Sequence, residues 1–220
     1  MNVPASGPTD KAAMHATSVR FIEVMTGTIS RRQPSSVVPF ALHLTVNASN
    51  LRQFLVNPDH TATLSGSVDC RALGGRLAVE RGTCNFFPRG EPRRAVGLRY
   101  WLIFRDHSGT PFTLRGEKYL RAGAPGRLWV DTTTLYVRLF EGQMGPGESD
   151  GQDGIAEGVV RIHPVAFARQ LTTFRSEGRS AGVRARALIG FLAFFIGGLW
   201  SAYVLDGRPR RAARAIGESR

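Results

Sequence analysis

Residues 95–120, AVGLRYWLIFRDHSGTPFTLRGEKYL, carry the reading on which the fold class turns. Val96, Leu98, Tyr100, Leu102 and Phe104 fall on one side of a period-two pattern, with Arg99, Trp101 and Ile103 on the other. That alternation is the mark of a strand with one buried face. Asp106-His107-Ser108-Gly109 supplies residues that tolerate turn geometry, and Pro111–Leu120 returns, so the stretch predicts an antiparallel hairpin.

The same signal recurs on both sides of the hairpin. From Val37, where a sheet is expected to begin, Phe40, Leu42, Leu44 and Val46 alternate with Ala41, His43, Thr45 and Asn47. Residues 61–69, 76–79, 129–140 and 155–163 read as further strands. Asn50 to Val56 reads as one or two helical turns closed by Asn57-Pro58, and EGQMGPGESDGQDG at 141–154 as a loop. After Pro164 the period becomes helical through Val165, Phe167, Ala168, Leu171 and Phe174, followed by a polar link and a long apolar run. Short strands followed by terminal helices predict a mainly β protein, an antiparallel barrel or two-layer sandwich with C-terminal helices. The expected organisation is a disordered leader at 1–18 and a β domain at 19–163. A helix and linker at 164–186, an apolar helix at 187–205 and a basic tail at 206–220 complete it.

Composition narrows the class. A chain of 220 residues, 42% hydrophobic with 25 Gly and 12 Pro, suits one β-rich core with many turns. The formal net charge of +12 points to an anionic partner without naming it. Cys70 and Cys84 belong to no metal-ligand spacing and read as free thiols. The first twenty residues hold Asp10, Lys11, His15 and Arg20 but no apolar core of signal-peptide length. The expected location is therefore the cytoplasm or a membrane surface, without secretion by a signal peptide.

Localisation turns on ALIGFLAFFIGGLWSAYVL, nineteen uncharged residues between Arg186 and Asp206. At about 1.5 Å per helical residue it extends roughly 28 Å, close to a hydrocarbon core. Phe191, Phe194, Phe195, Trp200 and Tyr203 are the candidate anchoring side chains, and arginines flank both ends. A transmembrane helix and a surface-lying or core-docked helix are equal alternatives, because Gly190, Gly197, Gly198 and Ser201 interrupt the run.

The chain lacks the common phosphate-cradle, zinc-helix and serine-elbow motifs, and its five histidines are scattered. No cofactor or metal is expected. Asp131, after Leu128-Trp129-Val130, reads as a strand-entry cap held by Thr132, Thr133 or Thr134. Lys118 reads as a surface strand lysine, with ligand contact beside Gly116 as the alternative. Arg89, Arg93, Arg94, Arg99 and Arg105 interleave with aromatics without a nucleic-acid motif, so nucleic acid is an unfavoured partner.

Six blocks carry a resemblance: GSV at 66–68, GTCNFF at 82–87, LRYWLIF at 98–104, LRGEK at 114–118, LWVDTTTLYV at 128–137 and RQLTTF at 169–174. Their succession resembles an accessory β-rich module of large bacterial GMC-type, cholesterol-oxidase-like proteins. The flavin domain of those proteins, with its glycine fingerprint, has no counterpart here, so oxidase activity does not carry over. The resemblance implies a non-catalytic accessory module, and the apolar run at 187–205, less interrupted than that module's pattern, adds membrane association; together they predict binding of a lipid-like ligand, a membrane lipid or a partner GMC-type oxidoreductase. Asn85, Tyr100, Lys118, Asp131, Thr133 and Tyr136 are the candidate ligand contacts. The alternative is a small cofactor-free enzyme with its site in a barrel mouth, using Asp131, Tyr136 or Lys118 for proton transfer.

Overall fold

The computed structural model describes residues 17–31, 35–88, 95–120, 127–148 and 153–205. Eight antiparallel strands close on themselves: β1 (Ser18–Arg31), β2 (Ser36–Ala48), β3 (Thr61–Cys70), β4 (Gly75–Phe86), β5 (Ala95–Arg105), β6 (Pro111–Leu120), β7 (Thr134–Glu141) and β8 (Ala156–Arg161). Each strand pairs with the next, and β8 returns to β1 with Thr28 opposite Val159. A short β9 (Arg175–Glu177) extends the other half of β1. The fold is thus the barrel of the two expected forms; closure removes the sheet edges a sandwich would leave.

Alternation fills the interior. Met25, Leu42, Leu44, Val68, Leu102, Phe104, Leu114, Leu135 and Val160 point inward and are buried. The hairpin at 95–120 forms as expected, with Leu102 opposite Leu114 and the turn tied by the Asp106 carboxylate. That carboxyl is held below its usual value, chiefly by the Ser108 hydroxyl. Inward glycines let the walls close: a Cβ at Gly82 would stand 2.7 Å from Leu102 Cδ2 and 2.9 Å from Leu64 Cβ.

The two barrel ends differ. At one end lie short links, including a 3-10 turn at Arg71–Leu73 and the β5–β6 turn. At the other lie α1 (Leu51–Val56), α2 (Arg127–Thr133), α3 (Pro164–Thr172) and α4 (Ala181–Leu205). Asn50 caps α1 by accepting from Gln53 N, and His163-Pro164 opens α3 with proline in its first turn.

Four expectations are corrected here. A 14-residue strand, β1, precedes Val37, and residues 17 and 18 belong to the barrel rather than to a leader, Thr17 O accepting from Leu51 N. Residues 129–133 are helical, so Asp131 lies in α2 and not at a strand entry. The apolar helix starts at Ala181, with β9 inside the supposed linker. Lys118 is not on the surface: it is 2% exposed inside the barrel. The leader to residue 16, the tail from 206 and Arg89, Arg93 and Arg94 lie outside the described residues.

Candidate functional site

The lumen next to the helical end holds a polar cluster inside an otherwise apolar core. Glu23 on β1 and Lys118 on β6 face each other across the barrel with Nζ 2.6 Å from Oε1. Tyr100 on β5 donates its hydroxyl to Glu23 Oε2 at 2.8 Å, and its ring lies 5.3 Å from Lys118 Nζ. Cys84 on β4 completes the group beside Tyr100, which it faces in register. All four are buried.

Strand parity places them. Lys118 shares its side of β6 with Leu114 and Leu120 and stands opposite Leu98; Glu23 shares its side of β1 with Phe21 and Met25. Burial pushes the Cys84 thiol well above its usual value, and the Glu23 carboxylate adds to the effect. Burial, then Glu23, likewise raises the Tyr100 phenol. The thiol stays protonated at neutral pH, which removes its nucleophilicity. The carboxylate has both oxygens engaged, whereas the ammonium, with three donors, has Glu23 as its one hydrogen-bond partner among the described residues.

One residue nearer the mouth on each inward series, the chemistry becomes aromatic. Phe21 follows Glu23 in this direction and Phe86 follows Cys84. Above them α4 seats Phe191, 2% exposed, with ring centroids 6.0 Å from Phe21, 5.8 Å from Phe54, 5.9 Å from Phe86 and 6.3 Å from Phe174. Phe194 stands 4.6 Å from His60 and 5.7 Å from Phe87; Phe195 stands 5.9 Å from Phe87. His60 in turn donates Nδ1 to Phe54 O at 2.9 Å.

His60 (φ 41°) and Phe87 (φ 49°) are the non-glycine residues with positive φ among those described, and both touch Phe194. The left-handed region costs an L-residue roughly 1–2 kcal/mol. The seat of α4 is therefore built on strained backbone. Gly198 lies against the Phe87 ring so closely that any Cβ there would overlap it.

Only part of the sequence-derived site converges. Tyr100 and Lys118 meet in the lumen. Asn85 lies on the outer face, donating to Asp59 O and Thr61 Oγ1. Tyr136 is exposed beside Tyr119, and Thr133 bonds Trp129 O within α2. Asp131 is buried in the same helix. Glu23 and Cys84 are the members that sequence reading missed. Of the candidate anchors, Phe191, Phe194 and Phe195 face the barrel, Trp200 faces solvent, and the Tyr203 side chain lies outside the described residues.

The face of α4 opposite the barrel carries Ile189, Leu192, Ala193, Ile196 and Trp200, all exposed. Residues 181–201 are long and apolar enough to cross a membrane, with Ala187 and Phe191 their buried members. Other exposed large apolar side chains gather at the same end: Val56 on α1, Trp129 and Val130 on α2, Val165 and Leu171 on α3. No family model, curated protein or solved structure matches the chain.

Proposed function

We propose that the protein is a non-catalytic, membrane-associated β barrel whose helical end rests on an anionic bilayer, with α4 as the principal contact. The observation that carries this reading is that α4 is apolar on two opposite faces. One face packs on the barrel through Ala187, Leu188, Phe191, Phe194 and Phe195, and the other is bare. A helix hydrophobic all round belongs in a core or in lipid. A water-facing helix at this position would carry charge on its outer face.

Charge selects the kind of surface. Arg52, Arg127, Arg169, Arg175, Arg184 and Arg186 are exposed around the same end. Residues 175–220 hold nine arginines against three carboxylates. Basic residues beside an apolar contact are attracted to anionic headgroups by about 1 kcal/mol each. A bilayer also accommodates a helix lying in its interface as well as one spanning it.

The enzyme reading has less behind it, since the buried thiol is held protonated and the carboxylate is fully engaged. Nucleic-acid binding draws little support, because Arg99 and Arg105 bond Glu117 and Glu80. A partner oxidoreductase rests on the motif resemblance alone.

Flotation of the full chain with phosphatidylcholine vesicles, with and without phosphatidylglycerol, tests the proposal. Ile189→Ser, Leu192→Ser and Ile196→Ser combined remove about 5 kcal/mol of apolar transfer, more than a thousandfold in partitioning. The wild type should float with anionic vesicles and the triple variant should stay in solution with its barrel intact. Equal flotation of both, or a triple variant that changes from dimer to monomer in the absence of lipid, overturns the reading.

A further inference from the structure

We propose that the barrel mouth beneath α4 is a binding site for a single-chain neutral lipid bearing a hydroxyl or carbonyl oxygen, and that Phe191 is its built-in occupant in the docked state. The inference rests on the membrane reading above and specifies the ligand and place of binding.

Three observations converge on the mouth. The first is the incompatibility of two states of α4. A span of 21 residues at about 1.5 Å each matches the hydrocarbon thickness, but Ala187, Leu188, Phe191, Phe194 and Phe195 at its middle are packed on the barrel. The helix cannot span and plug at once. Its inner face is as apolar as its outer one, so lipid can take that face over from the barrel.

The second is the construction of the seat. Phe87 and His60 hold their rings against α4 from backbone conformations that cost energy, and Gly198 is required for the approach to Phe87. Backbone strain persists where the surrounding structure over-determines it, and it clusters at ligand clamps and switch elements. Withdrawal of α4 leaves Phe21, Phe54, Phe86 and Phe174 lining an opening that an acyl chain can fill.

The third is the floor. Burying an ion pair in a barrel lumen contributes little that well-packed apolar side chains would not. Lys118 nonetheless lies there with donor capacity beyond its bond to Glu23. Glu23 repels a carboxylate head, while a neutral hydroxyl or carbonyl oxygen accepts from the ammonium without that penalty. An amphipath entering tail-up and oxygen-down satisfies both the aromatic walls and the lysine.

The test uses the full chain and a diazirine-bearing monoacylglycerol, offered both in vesicles and as monomer below its micelle concentration. Photolabelled peptides are mapped by mass spectrometry. Gly198→Leu and Phe191→Ala each weaken docking without touching the floor. Labelling of the β1, α1 and β4 peptides that carry Phe21, Phe54 and Phe86 should rise about tenfold in each, the population change that corresponds to about 1.4 kcal/mol. An acyl probe ending in carboxylate should label these peptides less than the monoacylglycerol does. Labelling confined to α2, α3 and α4 in all three proteins overturns the site while leaving membrane association standing. Mouth labelling by the monomer in a protein that does not float keeps the site and removes the membrane reading. Labelling of neither kind removes both.

Discussion

Removing one member of the Glu23–Lys118 pair exposes how the lumen is held. The two side chains are 3% and 2% exposed and 2.6 Å apart, so neither charge has water to fall back on. Lys118→Met leaves a buried carboxylate with Tyr100 as its remaining donor; Glu23→Leu leaves a buried ammonium with no carboxylate. Breaking a buried pair in this way costs about 3–5 kcal/mol. For a barrel of this size each kcal/mol moves Tm by about 2–4 °C, so each single variant should melt on the order of 10 °C lower. The double variant Glu23→Leu/Lys118→Met replaces charge by apolar volume but leaves the buried Tyr100 hydroxyl without its acceptor, so it should stay about 1–3 kcal/mol below the wild type, well short of the sum of the two single losses. Tyr100→Phe removes one hydrogen bond to a charged acceptor and should cost about 1.5–3 kcal/mol. Thermal and urea unfolding followed by circular dichroism give all four values. Single variants that each lose less than about 1 kcal/mol, or a double variant that loses the sum of both, would refute the geometry of the cluster.

Two further outcomes follow from the same interior. Burial raises the Cys84 and Cys70 thiols from the usual 9.0 and the Tyr100 phenol from 10.0, so the native state keeps protons that the unfolded chain releases. The contribution of these three groups should be level from mildly acid pH to pH 9 and then fall by about 1.4 kcal/mol per pH unit per group, from pH 9 for the thiols and from pH 10 for the phenol; Cys84→Ala should lower the protons released on alkaline unfolding by about one. Gly82→Ala sets a methyl 2.7 Å from Leu102 and 2.9 Å from Leu64, and should cost about 1–3 kcal/mol by chemical denaturation, a loss that Leu102→Ala in the same chain should not simply double.

What could be read from the sequence was the hydrophobic alternation, and what could not was wherever function or curvature interrupts it. The β5–β6 hairpin was legible because its inward series is unbroken from Leu98 to Phe104, while a bulge at Gly97 turns Val96 to the side of Tyr119. The inward series of β1 is Phe21, Glu23, Met25, Gly27 and Ile29, in which a carboxylate and a glycine erase the period-two signal. Lys118 was hidden in the same way by Gly116, although its parity with Leu114 and Leu120 pointed inward. Residues 129–133 carry tryptophan, valine and threonines, all strand-favouring, yet they form a helix in which Trp129 packs on Phe167 of α3. The length of the apolar run was plain from the sequence, but its division into a docked and a bare face was not, since residues on both sides are equally apolar.

The most direct measurement is the quenching of Trp200 by phospholipids brominated along their acyl chains, taken as the difference between the wild type and Trp200→Phe. Trp200 is 70% exposed on the outer face of α4. With anionic vesicles its emission should shift to the blue and be strongly quenched by bromine within the chains, and high salt should weaken the effect. A Trp200 that emits as in water and escapes quenching while vesicles are in excess would contradict the assignment of this end of the barrel to the membrane.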